Sequence, residues 1–306
     1  WSPAIPCRTT STLHSLIQNP HLRLFAGALM ISFSPVFVKL TSVAPTTSGF
    51  YRMLFGGLVL AVYLAVARRR LTFSGKAWIA LVLSAIFFAL DLWFWHRSIL
   101  YIGAGLSTLL ANFQVFIMMA AGALLLGQRP TGMQLAAVPL AIVGLALIMG
   151  FDWHSFSADY RLGIVFGLLT AVCYAGYLLY MRQARVHSAH AMPAREIAVM
   201  SLLVAVLLGA SAAFEGVSLQ IPGVADAIWL LLYGVLCSAI GMLFIASSLS
   251  SVTTTEVGLA LLVQPTGSFI WDILFFDRTL SLIEAAGALL SLAAIYIGSV
   301  KTSQQA

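Results

Sequence analysis

Four ionisable residues lie inside long apolar runs: Lys39, Arg52, Asp91 and Asp272. A charge at the centre of a membrane helix costs about 2.5–3.5 kcal/mol on insertion scales, and such groups normally face the protein interior or a water-filled cavity. At ~1.5 Å of rise per residue, each lies roughly 6–12 Å from the middle of its run, all toward the same face. Their formal charges cancel. The chemistry open to such a set is recognition of a small molecule carrying both a carboxylate and an ammonium. The competing reading is two internal salt bridges, or, for the long Lys39 and Arg52 side chains, snorkelling to the interface. Asp91 is too short to snorkel far.

Other candidates surround these four. Asp91, Trp95 and Ser98 share a helical face at i, i+4 and i+7, so Trp95 can stack on a ligand held by Asp91. Trp93 reads better as part of an interfacial aromatic belt. His96 is the one histidine inside an expected helix; imidazole titrates near neutrality and could relay protons. Its bland alternative is a hydrogen-bonded structural group, and Asp91 is the other candidate proton carrier. Gly105, Thr108, Asn112 and Phe116 form one helical stripe, and Gln264, Gly267, Ser268 and Trp271 another. Gln114 and Gln264 fall near the middles of their runs. Pro265 removes a helix hydrogen bond and should bend the chain there, and broken helices near the midplane mark transport sites. Gln264 is therefore the strongest single candidate, whereas Gln114 reads as interhelical glue. Tyr174 and Tyr177 flank a small-residue stripe, Gly163, Gly167, Ala171 and Ala175, that should pack closely on a neighbour. These tyrosines fit a cavity wall or a core equally well. Gly287 and Ser291 form a similar packing pair.

The elements that must position these residues follow from composition. Of 306 residues, 61% are apolar and 8% charged, against roughly 45–50% and 25% in soluble domains. A soluble globule and a disordered chain are both excluded. The apolar runs are continuous rather than alternating, which excludes an outer-membrane barrel. Ten segments suit membrane helices of ~20 residues: 22–43, 46–67, 77–97, 102–126, 131–149, 160–182, 194–214, 225–247, 252–275 and 280–300. The expected organisation is an N-terminal segment 1–21, a first five-helix unit 22–149, a linker 150–159, a second unit 160–300 and a tail 301–306.

With the N-terminus inside, eleven of the 16 Lys and Arg fall on inner segments (Arg8, Arg23, Arg68, Arg69, Arg70, Lys76, Arg129, Arg182, Arg185, Arg195, Lys301). Only Arg97, Arg161 and Arg278 fall outside, so both termini are expected in the cytoplasm. Asp152, Asp159, Glu215, Asp226 and Asp277 populate the outer loops. The net charge of +6 is thus a matter of topology, and no nucleic-acid partner is expected. The first apolar run contains Lys39 and no small-x-small exit, so no cleavable signal is expected.

The two halves repeat weakly. Gln114 aligns with Gln264 and, after a one-residue slip, Gln128-Arg129 with Asp277-Arg278. A five-helix repeat starts its second copy from the opposite face, an inverted repeat of the kind associated with secondary transporters. In the segments SFSPVFVK ending at Lys39, GFYRMLFGG with Arg52, Asp91 to Phe116, and GQRPTGMQ, the chain resembles the drug/metabolite transporter superfamily, in its bacterial EamA-like branch. Two positions depart from that pattern. Gln128 stands where the family usually has Glu, and Val115 where Pro is common, though Pro265 keeps it in the second copy. The resemblance implies ten helices around a central cavity, residence in the bacterial inner membrane and transport of small metabolites. An aromatic amino-acid exporter branch makes amino acids the favoured cargo.

No P-loop, dinucleotide fingerprint, HExxH or Cys/His cluster occurs, so neither cofactor, metal nor ATPase subunit is expected, and no enzymatic activity. Cys7, Cys173 and Cys237 have no CxxC spacing, and His187 and His190 have no third ligand. The expectation is therefore an exporter of amino acids, aromatic or bulky ones favoured, whose halves rock against each other, with protons as a candidate co-substrate. Efflux of organic cations and exchange of sugar phosphates or nucleotide sugars are the alternatives; a lipid-modifying membrane enzyme is remote.

Overall fold

A computed structural model describes residues 19–69, 72–127, 129–149, 156–188, 192–248, 251–252, 257 and 260–299. Cys7, Arg8, Arg70, Gln128, Asp152, His190 and Lys301 lie outside them, as do most of the expected N-terminal segment, much of the linker and the tail. The described secondary structure is helical, without strands. Nine helices are long and apolar enough to cross a membrane among the described residues: α1 Pro20–Leu40, α2 Pro45–Val66, α3 Gly75–Ile102, α4 Ala104–Leu124, α5 Gly132–Met149, α6 Ala158–Val186, α7 Pro193–Glu215, α8 Val224–Ser248 and α10 Leu282–Ser299. Between α8 and α10 lies α9, Val263–Phe276. The chain is an all-α membrane protein of two repeats.

Local sequence sets the helix ends. The Asn19 side chain accepts from the His21 and Leu22 N–H groups ahead of Pro20, and Ser74 and Ser157 cap α3 and α6 in the same way. Helix α3 runs on to Ile102, five residues past its expected end at Arg97. Arg97 does not stop it, because its guanidinium folds back to reach Glu215 Oε2 at 2.6 Å. The stop is Gly103, at φ +82°, a conformation that costs glycine little.

The repeat is visible in the caps. Thr131 and Gln134 form a reciprocal capping box at the start of α5, and Ser281 and Glu284 form another at the start of α10. Helix α4 ends at left-handed Gly127 and α9 at left-handed Asp277. The separation is the same for these pairs as for Gln114 and Gln264. The one-residue slip is therefore not needed, and Gly127 rather than Gln128 corresponds to Asp277.

Two helices are broken midway, and a matching turn precedes α9. Helix α1 turns at Phe33, two residues before Pro35. The chain turns at Leu262, directly before α9 and three residues before Pro265, as expected of a residue with no N–H to donate. Helix α4 turns at Phe113, beside Val115, so the break belongs to the repeat and not to proline alone. In α8 the stretch Tyr233–Gly241 is π-helical.

Eight helices close a ring in the order α1, α8, α2, α7, α3, α6, α4, α9, while α5 and α10 pair outside it, α10 against α4. Exchanging the halves (α1 with α6, and so on) maps this ring onto itself. The most extensive packing runs between halves: α3 on α6, α5 on α10 and α2 on α7. Any movement of one half against the other would have to work across these three interfaces. The small-residue stripe of α6 packs on α3, where Ser98 Oγ donates to the Gly163 carbonyl at 2.8 Å. Gly144 lets α5 meet α10: a Cβ there would lie 2.8 Å from the Gly287 carbonyl oxygen and 2.7 Å from the Ser291 nitrogen. Gly144→Val is expected to destabilise the protein by about 1–3 kcal/mol, read as a lower melting temperature in detergent; an unchanged melting temperature would show that this contact does not hold the pair together.

Candidate functional site

A cavity of about 760 Å³, counting its open mouth, lies between α1, α2, α3, α4, α6, α8 and α9. Arg52, Asp91, Trp95, Asn112, Tyr174 and Gln264 are on its wall. So is Gln114, which reads as glue in the sequence; no hydrogen bond ties its side chain among the described residues. The wall also holds Thr108, from the expected stripe with Asn112, and Ser34, Pro35, Thr170, Met242 and Leu261, which the sequence reading did not single out. Of the latter, only Pro35 carried a signal, as a helix breaker inside an apolar run.

Each wall residue is brought there by a distinct feature. Asp91 and Trp95 follow each other by one turn of α3, and both are buried. Gln264 sits just past the turn that precedes α9, and Asn112 and Gln114 flank the break in α4, so backbone irregularity converges on the same space. Asn112 Nδ2 donates to the Thr108 carbonyl at 2.8 Å. Tyr174 presents its ring to the cavity and stacks on Tyr177, centroids 5.4 Å apart. Tyr177 is off the wall: its ring stacks on Phe88 at 4.4 Å, as a core aromatic.

The four embedded charges divide. Arg52 and Asp91 face the cavity. Lys39 and Asp272 do not, which corrects the single four-charge vestibule. Lys39 Nζ reaches Asp272 Oδ1 at 2.8 Å, and Arg278 Nη1 reaches Oδ2 at 3.2 Å. The Gly105 N–H donates to Oδ2 at 3.2 Å, and Arg278 also donates to the Ile102 carbonyl. Asp272 is 1% exposed. One carboxylate thereby ties α1, the α3–α4 junction and α9 together on the face opposite the N-terminus. A Cβ on Gly103 would crowd both Asp272 and Arg278, so the glycine that ends α3 also makes room for this knot. Trp271 braces the same region: Nε1 donates to Ser32 Oγ at 2.9 Å and the ring stacks on Phe33 at 4.2 Å. A second knot on this face joins Arg97, Glu215, Thr46 and Trp93, and Asp226 accepts from Ser42. These contacts cross-link the helix ends on this face.

Asp91 stands apart from these knots. Its carboxylate makes no hydrogen bond among the described residues, and no ion pair joins it to Arg52. Arg52 is held instead by α8: Nε donates to Ser238 Oγ and Nη1 to the Tyr233 hydroxyl, both at 2.9 Å. His96 is fully buried behind the wall, with Nε2 3.2 Å from the Tyr233 hydroxyl and Nδ1 2.6 Å from the Leu92 carbonyl. A guarded carboxylate and a separate guanidinium, with aromatic rings between break-lined walls, can accept opposite ends of a small amphipathic molecule. No group of three or more His, Cys, Asp or Glu residues suited to a metal occurs among the described residues.

The model of the EamA-like transporter family matches residues 20–150 and again 161–300. No curated sequence matches this chain. A solved structure described only as the crystal structure of a protein superposes with a TM-score of 0.66 at 16% identity, over 92% of this chain and 96% of that one. That likeness speaks to fold alone.

Proposed function

The chain belongs to the EamA-like transporter family, a family of membrane transporters of small molecules, and on that premise we propose that it exports amino acids, aromatic or bulky apolar ones favoured. The observation that carries the reading is Asp91, a cavity carboxylate without a hydrogen-bond partner among the described residues, facing a cavity that also holds Arg52. A substrate ammonium supplies the partner Asp91 lacks, and a substrate carboxylate meets Arg52. Trp95 and Tyr174 flank the side chain, and Asn112 and Gln264 offer amide donors and acceptors. Sugar phosphates fit less well, since Arg52 is the one basic residue lining the cavity among the described residues and Asp91 opposes their charge. An organic cation suits Asp91 and the rings but leaves Arg52 repelling it.

In this account the site is exposed to the two faces in turn. The moving units combine helices of both halves, because the tightest interfaces run between the halves. The knot at Asp272 is the closed gate on one face. The described Arg23, Arg68, Arg69, Lys76, Arg129, Arg182, Arg185 and Arg195 all lie at the other, which supports a periplasmic gate and cytoplasmic termini in a bacterial inner membrane. Protons are the favoured coupling ion, with Asp91 their carrier.

The test is counterflow into proteoliposomes preloaded with twenty amino acids, with and without a pH gradient. Labelled phenylalanine or another bulky amino acid is expected to accumulate, to be displaced by unlabelled amino acid, and not by glucose 6-phosphate. Absence of exchange of every amino acid by folded protein would contradict the proposal, and accumulation of a lipophilic cation alone would move the reading to cation efflux.

A further inference from the structure

Two opposite charges share one largely apolar cavity and yet do not meet. A guanidinium and a carboxylate in such a setting attract strongly and favour a bidentate pair, and that pair would cancel both binding groups. Arg52 is instead bonded to another helix. Arg52 is drawn toward α8 by Ser238 Oγ and the Tyr233 hydroxyl, each at 2.9 Å. Because i→i+5 bonding in a π-helix brings residues five apart to one side, the π-helical stretch lets Tyr233 and Ser238 grip one guanidinium together. The guanidinium can only donate, so the tyrosine oxygen accepts from it and turns its own hydrogen to His96 Nε2 at 3.2 Å. The Leu92 carbonyl can only accept, so His96 Nδ1 carries the ring proton at 2.6 Å. Every link of the chain Arg52, Tyr233, His96, Leu92 has one donor and one acceptor, and its far end is anchored one residue from Asp91 on α3.

We propose that His96, acting through Tyr233, is a positioning residue that keeps Arg52 away from Asp91, so that the cavity offers a separated pair of charges to a zwitterion. This role rests on the amino-acid reading above and differs from a proton relay: His96 is off the wall and its fixed hydrogen bonds serve to orient.

The experiment uses the purified full chain and three probes measured by calorimetry: L-phenylalanine, 3-phenylpropionate and phenethylamine. Tyr233→Phe frees Nη1 of Arg52 to pair with Asp91, and binding of phenylalanine and phenylpropionate is expected to weaken by about tenfold or more. Adding Asp91→Asn removes the captor. The double variant is then expected to recover phenylpropionate binding to within about threefold of Asp91→Asn alone, while phenethylamine binding stays lost. A merely structural tyrosine would not be rescued by a second substitution across the cavity. His96→Leu is expected to show the same loss and rescue, and His96→Gln, whose amide oxygen can take the tyrosine hydrogen, to stay near wild type. Undiminished phenylpropionate binding by Tyr233→Phe, or no recovery in the folded double variant, overturns the positioning role alone. Wild-type protein that binds none of the three probes overturns the amino-acid reading as well.

Discussion

Asp91→Asn is expected to remove most transport while leaving the protein at least as stable as before. The carboxylate makes no hydrogen bond among the described residues, so the fold loses no internal partner when its charge goes. A buried charge without a partner is a burden on the folded state, and an amide of the same shape relieves it. A substrate ammonium, by contrast, loses a charge-assisted bond worth about 1.5–3 kcal/mol, which is roughly 10–100-fold in affinity. The paired readout is counterflow in proteoliposomes against melting temperature in detergent. Wild-type counterflow would remove Asp91 from the site, and a marked fall in melting temperature would show that the carboxylate holds the fold together.

Asp272→Leu is expected to do the reverse to stability. Here one buried carboxylate answers Lys39, Arg278 and the Gly105 N–H. Its removal strands two cations whose side chains are 24% and 19% exposed. Breaking a buried pair from one side costs about 3–5 kcal/mol; the residual exposure of Lys39 and Arg278 places the loss toward the lower figure. Lys39→Met is expected to be milder, because Arg278 and the backbone N–H still satisfy Asp272. Where Asp272→Leu folds, the face opposite the N-terminus should open. A membrane-impermeant thiol reagent added on that face should then label a cysteine at position 111, on the cavity wall, faster than in wild type. Equal labelling would mean that the knot does not gate the cavity.

The two aspartates show what one sequence reveals and what it hides. Both are late charged residues in apolar runs, and helical spacing treats them alike. Their separate fates depend on partners in other helices: Lys39 is 233 positions from Asp272, and no periodicity within α9 reports it. The helices themselves were legible, because a membrane demands ~20 apolar residues per crossing. The expected end of α3 at Arg97 erred because a charged residue reads as a terminus until its partner, Glu215, is known. The repeat was legible at Gln114 and Gln264, whereas its true register emerged from the Thr131 and Ser281 caps, where different residues do the same work. Asp91, Trp95, Asn112, Tyr174 and Gln264 meet on one wall, and each was legible as a polar or aromatic residue inside an apolar run. Tyr177, Trp271 and Lys39 share those traits and lie elsewhere, since depth gives the level of a residue and not its azimuth around the helix. The grip of Tyr233 and Ser238 on Arg52 had no signal at all: it needs a π-helical turn, which the sequence Tyr233 to Gly241 does not announce.

The most direct measurement is substrate protection at the cavity. Ala111 lies on the wall, and Ala111→Cys, in a background with Cys7, Cys173 and Cys237 replaced, offers one thiol to a small methanethiosulfonate reagent. Saturating L-phenylalanine is predicted by this account to slow labelling by about tenfold or more, and to lose that effect when Asp91→Asn is added. Labelling at the same rate with and without phenylalanine, in protein that still transports it, would contradict the placing of the substrate between Asp91 and Arg52.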